Sequence, residues 1–324
     1  MRLPIINPKN NKLLEPRGDQ LVDQDGTAFP VVHGVPRIAD LENYARNFGV
    51  QWNRFPGTQL DREKDGLNLS RDRFFAETHW DEEDLTGKDI LEVGSGAGRF
   101  SKVVLEYTKG TLYSVDYSDA VTANMQSNGQ IAPERFHLFQ ASIYELPFPD
   151  NSFDKVFCFG VLQHTPDFEA SVKALIDKAK PGGEIAVDFY AVKGWWTKVN
   201  AKYILRPITK RMPHDRLFKL IERNVDWLIK AHFFLHRVGL GVLARFLPVC
   251  NVKESFPATL TSSELREWTV LDTFDQYSPE HDHPQRVITV AQMFERHGAS
   301  VTFSGSENFG SGMLATVVRG VKRA

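Results

Sequence analysis

Apolar positions in this chain switch repeatedly between two periods. Ile90, Leu91 and Val93 are nearly contiguous, as in a short strand buried on both faces. Gly94, Gly96 and Gly98 follow at alternate positions. The period then becomes helical, with Phe100, Val103, Val104 and Tyr107 on one face, and stops at Lys109-Gly110. A second apolar run, Leu112 to Val115, ends on an acid, Asp116. The alternation continues with a helix over 118–128, a strand over 136–140, a strand over 153–160, a helix over 168–180 and a strand over 184–190. A helix over 287–297 and strands over 300–304 and 314–318 close the chain. Strands alternating with helices predict an α/β fold, doubly wound around a mostly parallel seven-stranded sheet.

Strand, glycine turn, helix, strand and acid make the first half of a Rossmann-like nucleotide site. Glycines let backbone approach a ligand closely, and a helix starting near Ala97 offers unpaired N–H groups to an anion. Asp116 can accept both hydroxyls of an adenosine ribose. The spacing selects among nucleotides. A dinucleotide fingerprint needs its third glycine at position 99, which is Arg99, and here an acid, Glu92, stands two residues before the first glycine. A carboxylate there suits a cationic ligand better than a pyrophosphate.

From about Asp89 to Gly183 the chain resembles the class I S-adenosylmethionine-dependent methyltransferases. That resemblance implies S-adenosyl-L-methionine as cofactor. It implies Glu92, Gly94, Ser95, Gly96 and Gly98 in the binding turn, Asp116 and Tyr117 at the ribose, and Ser142 and Ile143 at the adenine. Gly160 ends the fourth strand beside the reacting centre. Ser142 departs from the family pattern, which has an aspartate there, so the adenine amino group meets an uncharged acceptor or the backbone at Ile143. Gly160-Val-Leu-Gln-His164 is similar to a pattern of small-molecule methyltransferases whose histidine lies near the methyl group. His164 is then the candidate for orienting or deprotonating a nucleophile, the alternative being a structural histidine that caps the next helix.

The flanks carry the remaining expectations. Residues 1–40 read as a small β-rich segment, similar to a zinc-ribbon-like module that often precedes such enzymes. Its metal-binding pairs would fall at Asn7 and Asn10 and near Val22 and Asp25; none is cysteine, so no metal is expected. In 41–86, Tyr44, Phe48, Trp52 and Phe55 recur at helical spacing. On the family resemblance Phe48, Gln51 and Trp52 are candidates for a lid over the cofactor, and an aromatic face would favour a sulfonium. Residues 41–190 and 257–324 form the expected catalytic domain, and 191–256 a basic helical cap inserted after the fifth strand. That insertion reads as helices broken at Pro207, Pro213 and Pro248. Trp227, Ala231, Phe234, Val238 and Val242 form an apolar stripe for packing on the domain. Lys219, Arg223, Lys230 and Arg237 lie along another face. Asp272, Asp275, Tyr277, His281, Asp282 and His283 could ligate a divalent ion, but flanking prolines favour a substrate-side loop.

Composition adds less. Net charge over the 324 residues is −2, so nothing global points to nucleic acid. From Lys193 to Lys253, however, 13 Lys or Arg face 3 Asp or Glu, which leaves the rest near −12. Two cysteines exclude a disulfide framework or a four-cysteine zinc site. No leader and no 18-residue apolar span is apparent, so the expected place is the cytoplasm, with peripheral contact at the inner membrane surface through 191–256.

The function expected is methyl transfer from S-adenosylmethionine to a small-molecule, glycan or lipid-linked acceptor, of acidic character. The runner-up is an RNA ribose methyltransferase, encouraged by the basic segment. The place after the fourth strand lacks the Asn/Asp-Pro-Pro-aromatic or Pro-Cys motif of base methyltransferases, so DNA is not an expected partner. A non-catalytic adenosylmethionine-binding scaffold is the third class, which cofactor affinity would separate from the others.

Overall fold

The computed structural model describes residues 3–39, 44, 45, 48, 49, 52, 61, 68–192, 194–257, 259–310 and 313–324. They form two compact units: 1–191 with 281–309 and 314–324, and Val192–Glu280 with Gly310–Met313. The second unit therefore takes in the helix Ser262–Tyr277 as well as nearly all of the expected 191–256 insertion, beginning at Val192.

The first unit is built on seven strands: β5 (Asp89–Val93), β6 (Thr111–Asp116), β7 (Phe136–Gln140), β8 (Phe153–Cys158), β9 (Ala179–Asp188), β10 (Ala299–Asn308) and β11 (Leu314–Lys322). Their order across the sheet is β10-β11-β9-β8-β5-β6-β7. β5 to β9 pair in parallel, and β11 runs antiparallel to both neighbours. β5 begins the nucleotide motif and lies between β8 and β6, so the strand order reverses there and a crevice opens at the carboxyl ends. All five β5 residues are buried, as a strand covered on both faces requires. Alternate residues feed two cores. Leu91, Tyr113 and Val156 join Phe148, Phe153 and Ile176 on one face. Ile90, Leu112 and Phe157 join Phe74, Phe100 and Val104 on the other.

Helices α1 (Leu69–Thr78), α2 (Arg99–Tyr107), α3 (Val121–Asn128) and α4 (Phe168–Lys178) flank the sheet. β9 starts earlier than the periodicity predicts, at Ala179, because the chain extends through Lys180-Pro-Gly-Gly183 directly into the strand. Gly182 turns there with φ 77°, which a residue without Cβ adopts freely.

The N-terminal strands β1 (Glu15–Arg17), β2 (Gln20–Val22), β3 (Ala28–Val32) and β4 (Val35–Pro36) make a separate antiparallel sheet. Ile38 N–H donates to Gln140 O at 2.7 Å, joining this segment to the β7 edge. Asn7 and Asn10, at the positions of the first expected metal pair, both donate side-chain N–H groups to Asp23 Oδ2, at 2.7 and 2.9 Å. Asp23 Oδ1 accepts the Asp25 and Thr27 amides, each at 2.9 Å. The anchor is thus a carboxylate at Asp23, beside the Val22 position that spacing pointed to. The Asn10 and Asn7 amides hold its pKa far below the usual carboxylate range. A depressed acid stabilises the fold above its unfolded value near 4, and that contribution is lost as pH falls toward the folded value. Asp23→Ala should therefore lower amide-exchange protection at Asp25 and Thr27 by about tenfold or more at neutral pH. Unchanged protection would show that the loop closes without the carboxylate.

In the second unit, α5 (Ala201–Thr209) carries Pro207 inside it, and α6 (His214–Arg237) begins directly after Pro213. α7 (Val252–Ser255) and α8 (Ser262–Tyr277) follow. α6 buries Leu217, Phe218, Ile221, Val225, Leu228 and His232, with Phe218 against Phe274 of α8 at 5.5 Å between ring centres. The stripe expected to pack is instead largely exposed: Trp227 52%, Phe234 62% and Val238 47%. The packing face lies one residue step around the helix, where Val225 and Leu228 replace Trp227.

Candidate functional site

The carboxyl ends of β5, β6, β7 and β8 bring together the turn and loop residues that the resemblance implied. Gly94, Gly96 and Gly98 have φ of 84°, 53° and 88°. Each lacks a Cβ for a different reason. A Cβ at Gly94 would meet Val161 Cγ2 at 2.1 Å, one at Gly96 would meet the Trp52 indole at 3.1 Å, and one at Gly98 would meet Asn124 Oδ1 at 2.1 Å. The turn is clasped by Val161 of the loop after β8, by Trp52 and by Asn124 of α3. Of the lid candidates, Trp52 thus lies over Gly96, and Phe48 packs against the His164 ring at 5.3 Å. Gln51 and Phe55 lie outside the described residues.

Asp116 is buried at the end of β6 and is tied to the turn. Its Oδ2 accepts Gly96 N–H at 2.8 Å, and its Oδ1 accepts the Ser118 amide at 2.8 Å and hydroxyl at 2.6 Å. A carboxylate has about four lone-pair directions, so acceptor capacity remains for a diol hydroxyl. Ser142, after β7, accepts the Tyr144 amide at 3.2 Å and keeps its hydroxyl hydrogen to donate. Ile143 beside it is buried in the core below. Tyr117 carries a ring contact to Tyr44 at 5.1 Å, and Tyr44 meets the His281 ring edge-on at 5.6 Å.

Glu92 is placed differently from the direct cation contact expected of it. It is 2% exposed, and its Oε2 accepts the hydroxyls of Ser101 at 2.5 Å and Ser114 at 2.8 Å. Asn124 Nδ2 donates to Ser101 Oγ at 3.0 Å, and Asn128 Nδ2 to Asn124 Oδ1 at 2.8 Å and Gly98 O at 2.9 Å. The acid thereby shapes the turn from beneath through a buried polar chain. Burial pushes its carboxyl up to about 7, against the two hydroxyl donors. A raised acid favours the folded state most below its unfolded value, and that stability is lost as pH rises through the folded value. The expected loss between pH 4.5 and 7 is about 3 kcal/mol from this group alone. Glu92→Gln should flatten that slope in denaturant titrations of the ligand-free protein; an unaltered slope would assign it to other acids.

His164 is 4% exposed and sits in a short turn after β8. Its Nδ1 lies 3.2 Å from the His281 carbonyl oxygen, a group that only accepts, so Nδ1 is the donor there and the neutral form of the ring has its lone pair on Nε2. Tyr190 meets its ring edge-on at 5.6 Å. Gly160 opens the same loop with φ 73°, and a Cβ there would meet nothing within 4 Å, so its backbone faces open space.

Three features leave no mark in the hydrophobic pattern. Gly160 N–H donates to Asp188 at the end of β9, and Asp188 in turn accepts Arg73 of α1. Arg73 also donates to Glu77 at 2.5 Å, and burial pushes the Glu77 carboxyl upward. A lone acid in an apolar strand, opposite an Arg and Glu four apart on a helix, is the signal available in sequence. Finally, Ser95 Oγ and both polar atoms of the Gln163 side chain are buried with no hydrogen-bond partner among the described residues. Unsatisfied polar atoms in the glycine turn and the post-β8 loop are what a polar ligand seated there would complete. With Asp116 and the open backbone at Gly160, they fit an adenosyl amino acid. Among the described residues, no cluster of His, Cys, Asp or Glu could hold a metal ion.

Residues 91–187 match the family model described as a methyltransferase domain. The chain is 26% identical over 150 residues to a tRNA U34 carboxymethyltransferase of Nautilia profundicola, covering 46% of this chain and 48% of that one. It is 32% identical over 167 residues to the enzyme of that name from Idiomarina loihiensis, covering 48% and 46%. It is also 29% identical over 132 residues to a ubiquinone/menaquinone biosynthesis C-methyltransferase of Vibrio cholerae, covering 38% and 45%. This chain spans about half the length of these relatives. A glycine turn backed by an acid, a sheet that reverses at β5 and closes on an antiparallel β11, and the matched family model agree: residues 91–187 form a methyltransferase domain on a Rossmann-like sheet.

Proposed function

We propose that this protein transfers a methyl group from S-adenosylmethionine to an acidic small-molecule, glycan or lipid-linked acceptor, in the cytoplasm and at the inner membrane surface. The observation that carries the reading is Asp116, whose carboxylate is locked to Gly96 N–H at 2.8 Å. That bond fixes a ribose-binding acid against the glycine turn. The bound cofactor supplies an electrophilic methyl group on a sulfonium. The residues of the chain then have to orient, shield and move a proton. Gly94, Ser95, Gly96 and Gly98 shape the cradle, Asp116 and Tyr117 receive the ribose, and Ser142 and Ile143 the adenine. Trp52, with Gln51 beside it in sequence, covers the turn; Gly160 exposes backbone to the acceptor; and His164 Nε2 accepts a proton when the nucleophile is a hydroxyl or carbon acid.

Calorimetry should show S-adenosylmethionine binding and NAD failing to bind. Asp116→Ala should weaken adenosylmethionine by about 1.5–3 kcal/mol, the range for hydrogen bonds to a charged group. Undiminished affinity in that variant, still folded, would place the ribose elsewhere.

The two tRNA-modifying relatives favour a second reading, an RNA acceptor, with ribose methylation as one form of it. The three relatives match less than half of this chain, and they include a ubiquinone/menaquinone biosynthesis C-methyltransferase, so the likeness does not set the acceptor. Labelled cofactor incubated with cell extract should leave label in the glycan or lipid fraction, insensitive to ribonuclease. Label that ribonuclease releases would establish the RNA reading instead.

A further inference from the structure

Seven residues of α6 form a single seam: Arg216, Leu220, Arg223, Trp227, Lys230, Phe234 and Arg237, at alternating steps of four and three. That spacing keeps them on one side of a helix, over a length of about 30 Å. All seven are exposed, while the opposite side of the helix is buried in the second unit. Cation and hydrocarbon alternate at every step. The acids of α6, Asp215, Glu222 and Asp226, all lie off the seam, and Asp226 is held by Arg266 at 3.0 Å. None of the four seam cations forms an ion pair with another described residue. Beyond the seam the chain continues with Val238, Leu240 and Val242, exposed by 47, 51 and 76%. Trp195 of the same unit is exposed by 82%.

A groove on a folded partner would select an unbroken apolar stripe or charges of both signs. Nucleic acid would select the cations and leave Leu220 and Phe234 in water. A lipid interface takes both, with guanidinium and ammonium groups at the phosphate level and apolar side chains at the acyl boundary. No helix among the described residues is long and apolar enough to cross a membrane, so the helix would lie in the interface plane. We infer that the Arg216–Arg237 seam of α6 is a docking surface for an anionic lipid bilayer. This rests on the membrane-surface part of the proposed function and deepens it, naming the face and the lipid charge, and it is independent of whether the chain transfers a methyl group.

The test is co-sedimentation of the full chain with vesicles of phosphatidylglycerol mixed with phosphatidylcholine, against phosphatidylcholine alone. Binding should require the anionic lipid and weaken as salt shortens the screening length. The fourfold variant Arg216→Gln, Arg223→Gln, Lys230→Gln, Arg237→Gln should lose about 100-fold or more, roughly fivefold for each charge. Leu220→Ser, Trp227→Ser and Phe234→Ser together should lose about tenfold or more, including at high salt. Both variants change only exposed side chains, and wild-type melting curves would show that they fold. Three results would overturn the inference: wild-type protein left in the supernatant with anionic vesicles at low salt, undiminished binding by the fourfold variant, or binding to RNA but not vesicles that survives the apolar variant. Adenosylmethionine calorimetry on the same samples keeps the two readings apart, since failure of cofactor binding leaves vesicle binding standing.

Discussion

Gly98→Ala should destabilise the protein by about 3–5 kcal/mol, enough to unfold a large fraction of a marginally stable domain. Two independent costs add. Gly98 has φ 88°, a left-handed conformation that costs an L-residue about 1–2 kcal/mol. The new methyl would also stand 2.1 Å from Asn124 Oδ1 and 2.2 Å from Asn128 Nδ2. Neither amide can swing aside cheaply. Asn128 Nδ2 donates to both Gly98 O and Asn124 Oδ1, and Asn124 Nδ2 supports Ser101, which holds Glu92. Both asparagines are fully buried, so displacing them leaves unsatisfied polar groups in the core. Urea unfolding monitored by circular dichroism measures the effect. A loss below about 1 kcal/mol would mean that α3 moves as a body and the polar chain is not rigid. Gly160→Ala is the control, because φ is positive there as well, at 73°, but a Cβ meets nothing within 4 Å.

The parallel core is legible in sequence because its strands are buried on both faces and its helices on one. Those two patterns are periodic enough to separate: the third strand runs Phe136–Gln140 in the sequence reading and in the structure. The second unit is less legible. A helix with apolar residues all round carries two candidate faces, and periodicity alone cannot say which one packs. In α6 periodicity favours Trp227 and Phe234, whereas the contacts with Phe274 and its neighbours in α8 bury Phe218, Ile221 and Val225. Partner elements decide such cases, and α8 lies some 25–60 residues downstream of α6.

The site shows the same division. Spacing finds the turn and Asp116, because both are local in sequence. It assigns the glycines to ligand approach, whereas in the fold each one also makes room for a side chain from a distant segment: Val161, Trp52 or Asn124. Charge is local information too, and by itself it points Glu92 at the ligand. The orientation of that side chain depends on Ser101 and Ser114, which are ordinary residues in sequence and become hydroxyl donors only once α2 and β6 are packed. Gln163 carries no signal beside His164, and its significance is wholly one of burial without partners.

His164→Ala should lower kcat by about 10²–10⁴-fold for a hydroxyl or carbon-acid acceptor, the usual contribution of a positioned general base. The effect follows from the tautomer. The His281 carbonyl oxygen, 3.2 Å from Nδ1, can only accept, so it holds the proton on that nitrogen and leaves the lone pair on Nε2. Phe48 and Tyr190 fix the ring plane with contacts at 5.3 and 5.6 Å. A base pinned in one tautomer and one plane loses little entropy on proton transfer. Adenosylmethionine affinity should stay within about twofold, because the groups assigned to ribose and adenine lie at β6 and β7. His164→Asn tests the structural alternative: an asparagine can donate to the His281 carbonyl but offers no basic nitrogen. If His164 serves as the base, both variants lose turnover, and added imidazole restores part of it to the alanine variant. Normal specific activity in His164→Asn with a lowered melting temperature in His164→Ala would make His164 a purely structural residue. For an amine acceptor already deprotonated, turnover would fall far less, so the size of the loss also reports which atom receives the methyl group.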